Sequence, residues 1–464
     1  MNLDTIHKVY FLGVGGIGMS ALARWFAVNG KQVFGYDKTS TPLTKKLEEE
    51  GIVINYTDEL EFIPDVIKNG GDDLLIVLTP AIPQDSVQLS FFTNGDFVLK
   101  KRSEILGLIS KAHYTIGVAG THGKTTTSSM LAHVLKSGGL NVTAFLGGIT
   151  QNYNSNLILG DASQKQIVVV EADEFDRSFL RLSPNMTVIT NSDPDHLDIY
   201  GDEETFHEGF KAYADKIPAD GFLVISEKVN EGIYSESKAK KSLYSYDGAG
   251  CHAENLRFEN GYLHFDYVGN VRVEACAMLI PGIHNVENAI AAITIALELG
   301  LTPDQIREGV STFRGVKRRF EYHYRENGVV YIDDYAHHPS EISSFLNSLR
   351  VLYPAKKVTV VFQPHLFSRT QDFMDEFAKS LSIADRVLLL DIYPARELPI
   401  PGVTSQVLLN KITSLEKELI TKENLIEKLE SVELELVCTL GAGDVDRCIE
   451  PIKKMLTSRK GDVK

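Results

Sequence analysis

Apolar and polar positions alternate along this chain in a repeated way: short apolar runs end in glycine-rich or acidic turns and are separated by longer amphipathic segments. Uninterrupted apolar runs of this length are typical of parallel strands that are buried on both faces. The predicted strands are 8–12, 32–37, 74–79, 114–119, 166–170, 187–191, 329–332, 357–362, 386–390 and 434–440. The predicted helices include 19–28, 126–135 and 289–297, each followed within three residues by a glycine. Strands that alternate with helices in this way predict an α/β protein.

Two stretches depart from that pattern. Residues 222–280 contain short apolar runs between turns, which predicts a peripheral antiparallel patch without chemistry. Residues 414–430 carry leucine and isoleucine at helical spacing, which predicts one surface helix. The 464 residues suffice for about three domains, and we place their boundaries at 1–105, 106–316 and 317–464.

Composition excludes several classes of protein. A formal net charge of −15 argues against a nucleic acid or an anionic membrane as the main partner. The four cysteines form no C-x-x-C pair, so zinc-site spacing is absent and reduced thiols are expected. No signal-peptide pattern and no apolar run of about 20 residues is present. We therefore expect a cytoplasmic protein.

The clearest chemical motif is the turn at residues 120–125, which reads Gly-Thr-His-Gly-Lys-Thr between a predicted strand and a predicted helix. Backbone N–H groups and the helix N-terminus favour phosphate there, Lys124 can reach the β- and γ-phosphates, and the Thr125 hydroxyl can hold Mg²⁺. Val118 occupies the position of the first glycine in the general phosphate-loop pattern, so this loop is a shortened variant. The alternative is an ordinary strand-to-helix turn.

A second glycine-rich turn, residues 13–18, follows the first strand and has the spacing G-x-G-x-x-G. Asp37 ends the next strand 19 residues after Gly18, which fits the dinucleotide fingerprint. Any ligand with a diphosphate suits such a turn at a helix N-terminus. The alternative is a close crossing of strand and helix with no ligand.

Polar side chains follow several of the predicted strands. Glu171 and His196 each come after a strand of the central region, and both are expected to approach Mg²⁺ at the phosphate loop. The other acids there, Asp193, Asp195 and Asp198, are equally explained as solvated loop charges.

Cationic and imidazole side chains form two further candidate groups. The basic segment 314–319 contains Arg318 and Arg319, which fits either an arginine finger or a solvated linker. His337, His338 and His365 follow two strands of the last region, where a ligand edge and structural histidines are both plausible.

Taken together, residues 120–125, 171–174, 195–198, 284–289 and 318–320 resemble the Mur ligase family over essentially the whole chain. Residues 13–20, 333–339 and 363–370 are similar to the branch of that family that adds L-alanine. The resemblance implies a Rossmann-like UDP-substrate domain (1–105), a phosphate-loop ATPase domain (106–316) and a Rossmann-like amino-acid domain (317–464). It implies an ATP-dependent ligase that uses Mg²⁺ and joins L-alanine to the lactyl carboxylate of UDP-N-acetylmuramate through an acyl phosphate, for peptidoglycan precursors.

The same resemblance implies roles for individual residues. It places catalytic work on Lys124, Glu171, His196, Arg319 and Asp334. It places ATP against Gly120, Thr121, His122, Gly123, Lys124, Thr125, Thr126, His284, Asn285, Asn288, Arg319, Asp334 and His337. It places the UDP group against Gly15, Gly16, Ile17, Gly18, Ser20 and Asp37, the amino acid against Tyr335 and His365, and metal against Thr125, Glu171 and His196.

Other interpretations stay open at this point. A sister ligase that attaches a preformed peptide to the same sugar nucleotide would carry nearly the same motifs. An NAD-dependent dehydrogenase would explain the first glycine turn but not the phosphate loop, and a nucleotide-switch protein would explain the loop alone. Lys211, 15 residues after His196, has the spacing of a carbamylated lysine found in some family members, but the alanine-adding branch generally lacks that lysine, so it is left out of the site.

Overall fold

The computed structural model describes residues 1–194, 197–259, 261–395 and 397–459. The described residues divide into two compact units, one within 1–257, 264–278 and 286–314 and the other within 258–263, 279–285 and the part from 315 onward. All four cysteines are buried and carry free thiols. Within the described residues, no helix is both long and apolar enough to cross a membrane.

The N-terminal sheet has five parallel strands in the order β3-β2-β1-β4-β5. Its strands are β1 Lys8–Leu12, β2 Gln32–Tyr36, β3 Val53–Asn55, β4 Leu74–Leu78 and β5 Leu99–Lys101. Its helices are α1 Ile17–Val28, α2 Pro42–Glu49, α3 Asp65–Lys68, α4 Val87–Asn94 and α5 Arg102–Ala112. The strand order reverses between β1 and β4, so the crevice for a ligand lies at the carboxyl end of β1, where the first glycine turn begins.

The central sheet has seven strands in the order β12-β11-β10-β6-β9-β7-β8. Its strands are β6 Tyr114–Ala119, β7 Val142–Thr150, β8 Ser155–Ile158, β9 Ile167–Glu171, β10 Met186–Ile189, β11 Phe222–Ser226 and β12 Lys240–Tyr244. The next helices in the chain are α6 Lys124–Ser137, α7 Leu197–Tyr200, α8 Glu203–Ala214, α9 Ile283–Glu298 and α10 Pro303–Thr312. Strand β6 lies between β10 and β9, and the phosphate loop therefore leaves the middle of the sheet.

The prediction of a peripheral antiparallel patch at 222–280 is wrong for its first part. Phe222–Ser226 is fully buried and pairs in parallel with β10, so it belongs to the central sheet. Among the described residues of 222–280, β13 His252–Glu259, β14 Tyr262–Val268 and β15 Val273–Met278 form a separate three-stranded sheet. The burial patterns explain the difference, since every residue of β11 is buried whereas burial alternates along β14.

The C-terminal sheet has six strands in the order β16-β17-β21-β18-β19-β20. Its strands are β16 Glu321–Glu326, β17 Val329–Asp334, β18 Val358–Phe362, β19 Arg386–Leu389, β20 Glu416–Leu419 and β21 Leu436–Leu440. Its helices are α11 Pro339–Leu352, α12 Phe367–Asp372, α13 Met374–Leu381, α14 Ser405–Lys411, α15 Lys422–Glu430 and α16 Ile449–Ser458. The four predicted strands of this region are confirmed and pair in parallel, while β16 joins the edge in antiparallel orientation.

The predicted helix over 414–430 is wrong in its first half. Glu416–Leu419 is an edge strand that pairs with β19, and α15 begins only at Lys422. All four residues of the strand are exposed, and Leu415 before it is fully exposed. Because none of these side chains is buried, their apolar spacing carried no information about structure, and pairing with the open sheet edge decided the outcome.

Candidate active site

The phosphate loop is held open by glycines and by the end of β10. Gly120 and Gly123 have φ values of +130° and +82°, which side chains other than glycine rarely adopt. A Cβ on Gly120 would lie 2.0 Å from the Thr190 hydroxyl oxygen. The backbone N–H of His122 donates to the Asn191 side-chain oxygen at 2.9 Å. These contacts fix the loop before any phosphate binds.

Lys124, the first residue of α6, is folded back onto its own loop. Its ammonium donates to the carbonyls of Gly120 (2.6 Å) and Thr121 (3.1 Å) and to the carboxylate of Glu174 (2.8 Å). Burial alone would lower the pKa of Lys124, but the carboxylates around it, Glu174 first, raise it overall. The lysine is therefore charged and already placed beside the loop, with donors that phosphate oxygens can take over.

Glu171 stands at the end of β9, as predicted from the sequence. Its carboxylate accepts hydrogen bonds from the Thr125 hydroxyl (3.0 Å) and from the backbone N–H of Gly147 (3.0 Å). Burial raises the pKa of Glu171, while nearby Lys124 opposes that shift. The buried Glu174, to which the sequence analysis assigned no role, is part of the same cluster; its position in the 171–174 motif was the available signal.

The oxygen atoms present here fit a magnesium ion. A carboxylate and a hydroxyl at hydrogen-bond distance are both hard donors, and Mg²⁺ in nucleotide sites takes one or two carboxylates together with phosphate oxygens and water. Within the described residues, no group of three or more His, Cys, Asp or Glu side chains gathers as for a metal held by protein alone. His196, the other predicted ligand, lies outside the described residues.

Of the other predicted ATP residues, Thr126 lies in α6, whereas His284, Asn285 and Asn288 lie in the first turns of α9. Thr126 is buried in the first turn of α6, and the Asn288 side-chain oxygen accepts from the Thr127 hydroxyl at 2.9 Å. That oxygen would also lie 3.0 Å from a Cβ on Gly123, so Asn288 borders the phosphate-loop helix. Asn285 is buried and donates to the carbonyl of Pro281 at 2.7 Å, a local structural bond.

In the first glycine turn, Asp37 supports the turn itself. Its carboxylate accepts from the backbone N–H of Gly15 at 2.8 Å and from that of Thr39 at 3.1 Å. A Cβ on Gly15 would lie 2.7 Å from the same carboxylate, so the contact requires glycine. In the dinucleotide fingerprint this acid binds the ribose hydroxyls, whereas here one of its oxygens is engaged by the turn.

The start of α1 is fixed from the central domain. The Ser20 hydroxyl is fully buried and donates to the carbonyl of Ile17 at 2.8 Å. The buried Asn156 of β8 donates to the same carbonyl at 2.5 Å and to the Ser20 oxygen at 2.9 Å. Asn156 was not singled out in the sequence, because nothing local connects residue 156 with residue 17.

One cleft of about 330 Å³ joins the first glycine turn to the end of β9. Its lining residues are Gly16, Ile17, Gly18, Met19, Ala21, Thr79, Arg102, Leu106, Phe145, Leu146, Gly147, Glu171 and Asp173. The predicted UDP residues at 16–18 and the predicted metal ligand Glu171 thus face the same space. The cleft can place an anion bound at the glycine turn next to the carboxylate that contacts the phosphate loop.

In the C-terminal unit, Asp334 ends β17 with both carboxylate oxygens occupied by backbone. They accept from the N–H groups of Phe320 (2.7 Å) and Ala336 (2.8 Å). Burial raises the pKa of Asp334 to about 6, and the nearby Arg319 opposes that shift. Arg318, by contrast, is bound to the fully buried Asp333 at 3.1 Å, which gives it a structural role.

Aromatic and imidazole rings gather at the ends of β17 and β18. The ring centroids of Tyr335 and His337 are 5.1 Å apart, and those of His337 and His365 are 6.2 Å apart. Burial lowers the pKa of each of the two histidines to about 4, so both are neutral at neutral pH. The buried Nδ1 of His365 has no hydrogen-bond partner among the described residues. His338 instead is the N-cap of α11, and its ring accepts from the N–H of Ser340.

Three family models match the chain in succession: "Mur ligase family, catalytic domain" over residues 8–114, "Mur ligase middle domain" over 118–296, and "Mur ligase, glutamate ligase domain" over 318–444. A UDP-N-acetylmuramate–L-alanine ligase of Cytophaga hutchinsonii is 49% identical over 468 residues, covering 99% of this chain and 99% of that protein.

Solved structures agree with this. The crystal structure of a UDP-N-acetylmuramate–alanine ligase from Thermotoga maritima superposes with a TM-score of 0.82 at 28% identity, over 97% of this chain and 99% of that one. A murein peptide ligase from Psychrobacter arcticus gives a TM-score of 0.67 at 22% identity, over 99% of both chains, and shares the fold. Matches along the full length at these identities leave one conclusion: the chain belongs to the Mur ligase family.

Proposed function

We propose that this protein is an ATP-dependent ligase that joins L-alanine to the lactyl carboxylate of UDP-N-acetylmuramate, a step of peptidoglycan precursor synthesis. The observation that carries the proposal is the shared cleft, in which the glycine turn and Glu171 face the same space. The relative from C. hutchinsonii, which carries this activity in its name, matches along its full length.

The chemistry requires a carboxylate to be activated, because an amine cannot expel an oxide from it. An oxygen of the lactyl carboxylate attacks the γ-phosphorus of ATP, ADP leaves, and an acyl phosphate forms. The amine of L-alanine then attacks the acyl carbon and loses a proton, and phosphate departs. Catalysis of such a transfer consists mainly of positioning and of stabilising charge on the phosphoryl oxygens.

The residues of the phosphate loop are assigned to that stabilisation. Lys124 exchanges its loop carbonyls for phosphate oxygens, and the backbone N–H groups of the loop bind the same anion. Thr125 and Glu171 would hold Mg²⁺, which when bound neutralises charge on the β- and γ-phosphates. Arg319 is proposed as a further cation for the transferring group.

The C-terminal unit is assigned to the amino acid. Tyr335 and His365 are proposed to border it, in a cluster whose histidines are neutral at neutral pH. Neutral rings do not repel the ammonium group of an incoming amino acid.

The test is release of phosphate from ATP, measured with UDP-N-acetylmuramate while amino acids are varied. The account predicts turnover that depends on both the sugar nucleotide and L-alanine. Turnover with an L-alanyl tripeptide but not with L-alanine would favour the sister ligase instead. Turnover of ATP without either co-substrate would favour a nucleotide switch.

A further inference from the structure

Arg102 is a cation in the cleft to which no role has been given so far. It is the first residue of α5 and directly follows β5 of the N-terminal sheet. Its side chain lies against the glycine turn: a Cβ on Gly18 would be 2.9 Å from its Cδ, 3.1 Å from Nη1 and 3.2 Å from Nε. Glycine at position 18 therefore leaves the space that the guanidinium occupies.

The other end of the same guanidinium is weakly held. Its Nη2 lies 3.5 Å from the carboxylate of Asp173, and the Arg102 side chain is 24% exposed. A charge-assisted hydrogen bond is normally 2.7–2.9 Å long, so this contact is loose. Arg102 can leave Asp173 at small cost when a closer anion arrives.

The acidic side chains that line the cleft make a cation such as Arg102 necessary for binding an anionic ligand. Among the described residues that line it, Glu171 and Asp173 are acidic and Arg102 is the only basic one. A sugar nucleotide brings a diphosphate into this space, and enclosing anions beside two carboxylates is unfavourable unless a cation pairs with them. A guanidinium offers a planar pair of donors that matches two phosphate oxygens.

We propose that Arg102 binds the diphosphate of the sugar nucleotide at the first glycine turn and releases Asp173 when it does so. The proposal rests on the function proposed above and adds a specific ligand to its substrate site. The diphosphate is chosen over the lactyl carboxylate because the guanidinium lies on Gly18, beside the N-terminus of α1.

The test is calorimetric titration of the full-length protein with UDP and, separately, with UDP-N-acetylmuramate. Arg102→Gln is expected to weaken both ligands by a similar factor, roughly 10- to 100-fold, as for loss of a charged hydrogen bond. Arg102→Lys is expected to recover part of the loss, because it restores the charge without the planar donor pair. Lys101→Gln, a change at the exposed neighbour, is the matched control and is expected to bind as wild type.

Asp173→Asn separates a binding role from a merely structural one. It keeps the oxygen that accepts from the N–H of Phe175 but removes the charge that competes for Arg102, so UDP should bind more tightly than to wild type. Unchanged UDP binding by Arg102→Gln would overturn the proposal, and so would a loss confined to UDP-N-acetylmuramate, which would assign Arg102 to the lactyl carboxylate. Failure of the wild type to bind either ligand would instead contradict the proposed function.

Discussion

The two glycine-rich turns of the first unit follow buried parallel strands and open onto helices, yet they differ in charge. The turn after β1 contains no cationic residue, and the carboxylate of Asp37 accepts a hydrogen bond from the backbone N–H of Gly15. The turn after β6 carries Lys124, which lies against the buried carboxylate of Glu174. The turn after β1 offers a ligand mainly backbone N–H groups, whereas the turn after β6 contains an ion pair between Lys124 and Glu174.

This difference in charge assigns substrate binding to the first turn and catalysis of phosphoryl transfer to the second. A backbone turn at a helix N-terminus suits a diphosphate that keeps its bonds throughout the reaction. A phosphoryl group in transfer spreads charge over its oxygens, and fixed cations near that charge lower the barrier. The comparison therefore predicts that changes in the first turn alter affinity for the sugar nucleotide, whereas changes in the second alter the rate.

The largest effect is expected from Lys124→Ala. Removal of one preorganised charge contact from a transition state typically costs on the order of 10²–10³ in rate. Steady-state kinetics should show this loss in kcat, and the folded variant should melt at a lower temperature than wild type, because the buried carboxylate of Glu174 loses its cation. Lys136→Ala, in the last turn of the same helix, is the control and should keep its kcat. Near-normal turnover by Lys124→Ala would contradict the assignment of residues 120–125 as the loop that binds the ATP phosphates.

Alanine in each turn should separate the two roles. Gly120→Ala puts a Cβ 2.0 Å from the Thr190 hydroxyl at a φ of +130°, so we expect ATP turnover to collapse. Gly13→Ala, at a φ of +86° and 2.7 Å from the Thr79 methyl, should instead raise KM for the sugar nucleotide. Backbone strain of about 1–3 kcal/mol corresponds to a change of roughly 5- to 150-fold in rate or affinity.

Gly30→Ala is the control for those variants, since its φ is +76° but nothing lies within 4 Å of the added Cβ. Gly30→Ala should lower the free energy of unfolding without changing KM for ATP or KM for the sugar nucleotide. If Gly13→Ala and Gly120→Ala gave the same kinetic defect, the distinction between the two turns would be lost.

A smaller effect is expected from Asp37→Ala. The variant leaves the N–H of Gly15 without its acceptor, so KM for the sugar nucleotide should rise several-fold, as for one hydrogen bond worth about 1 kcal/mol. NAD should bind neither wild type nor variant in calorimetry. A saturable micromolar NAD signal with the wild type would revive the dehydrogenase interpretation.

The smallest effect concerns the helix behind the phosphate loop. His133 of α6 is bonded to the hydroxyls of Tyr153 (2.9 Å) and Thr312 (3.0 Å), and burial lowers its pKa to about 4. In the unfolded chain His133 is protonated below about pH 6.5, whereas in the folded chain it stays neutral until about pH 4. The free energy of unfolding therefore decreases as the pH is lowered from 6.5 to 4. His133→Gln should flatten this part of the curve of melting temperature against pH.

Local patterns predicted most of the framework. The strands that surround the phosphate loop, and the loop itself between β6 and α6, followed from buried apolar runs and glycine positions, because both signals lie within a few residues. Glu171 was placed at the strand end for the same reason. The edge strand at Glu416–Leu419 was missed, since its pairing with β19 is not visible in local spacing.

The side chains that complete the sites were harder to find. Asn156 reaches the start of α1, and Arg102 reaches Gly18, across more than 80 residues of sequence. Such contacts depend on the packing of whole domains, and a single Asn or Arg has no periodicity that marks it. Glu174 lay inside a recognised motif, yet its burial against Lys124 required the structure.

The central claim is that the γ-phosphoryl group of ATP, bound at the phosphate loop after β6, is transferred to the sugar nucleotide bound at the glycine turn after β1. It is tested most directly by labelling the lactyl carboxylate of UDP-N-acetylmuramate with heavy oxygen and running the reaction with ATP and L-alanine. The account predicts that mass spectrometry finds one labelled oxygen in the released phosphate. Phosphate without label would mean that the carboxylate is never phosphorylated, and the acyl phosphate mechanism would be contradicted.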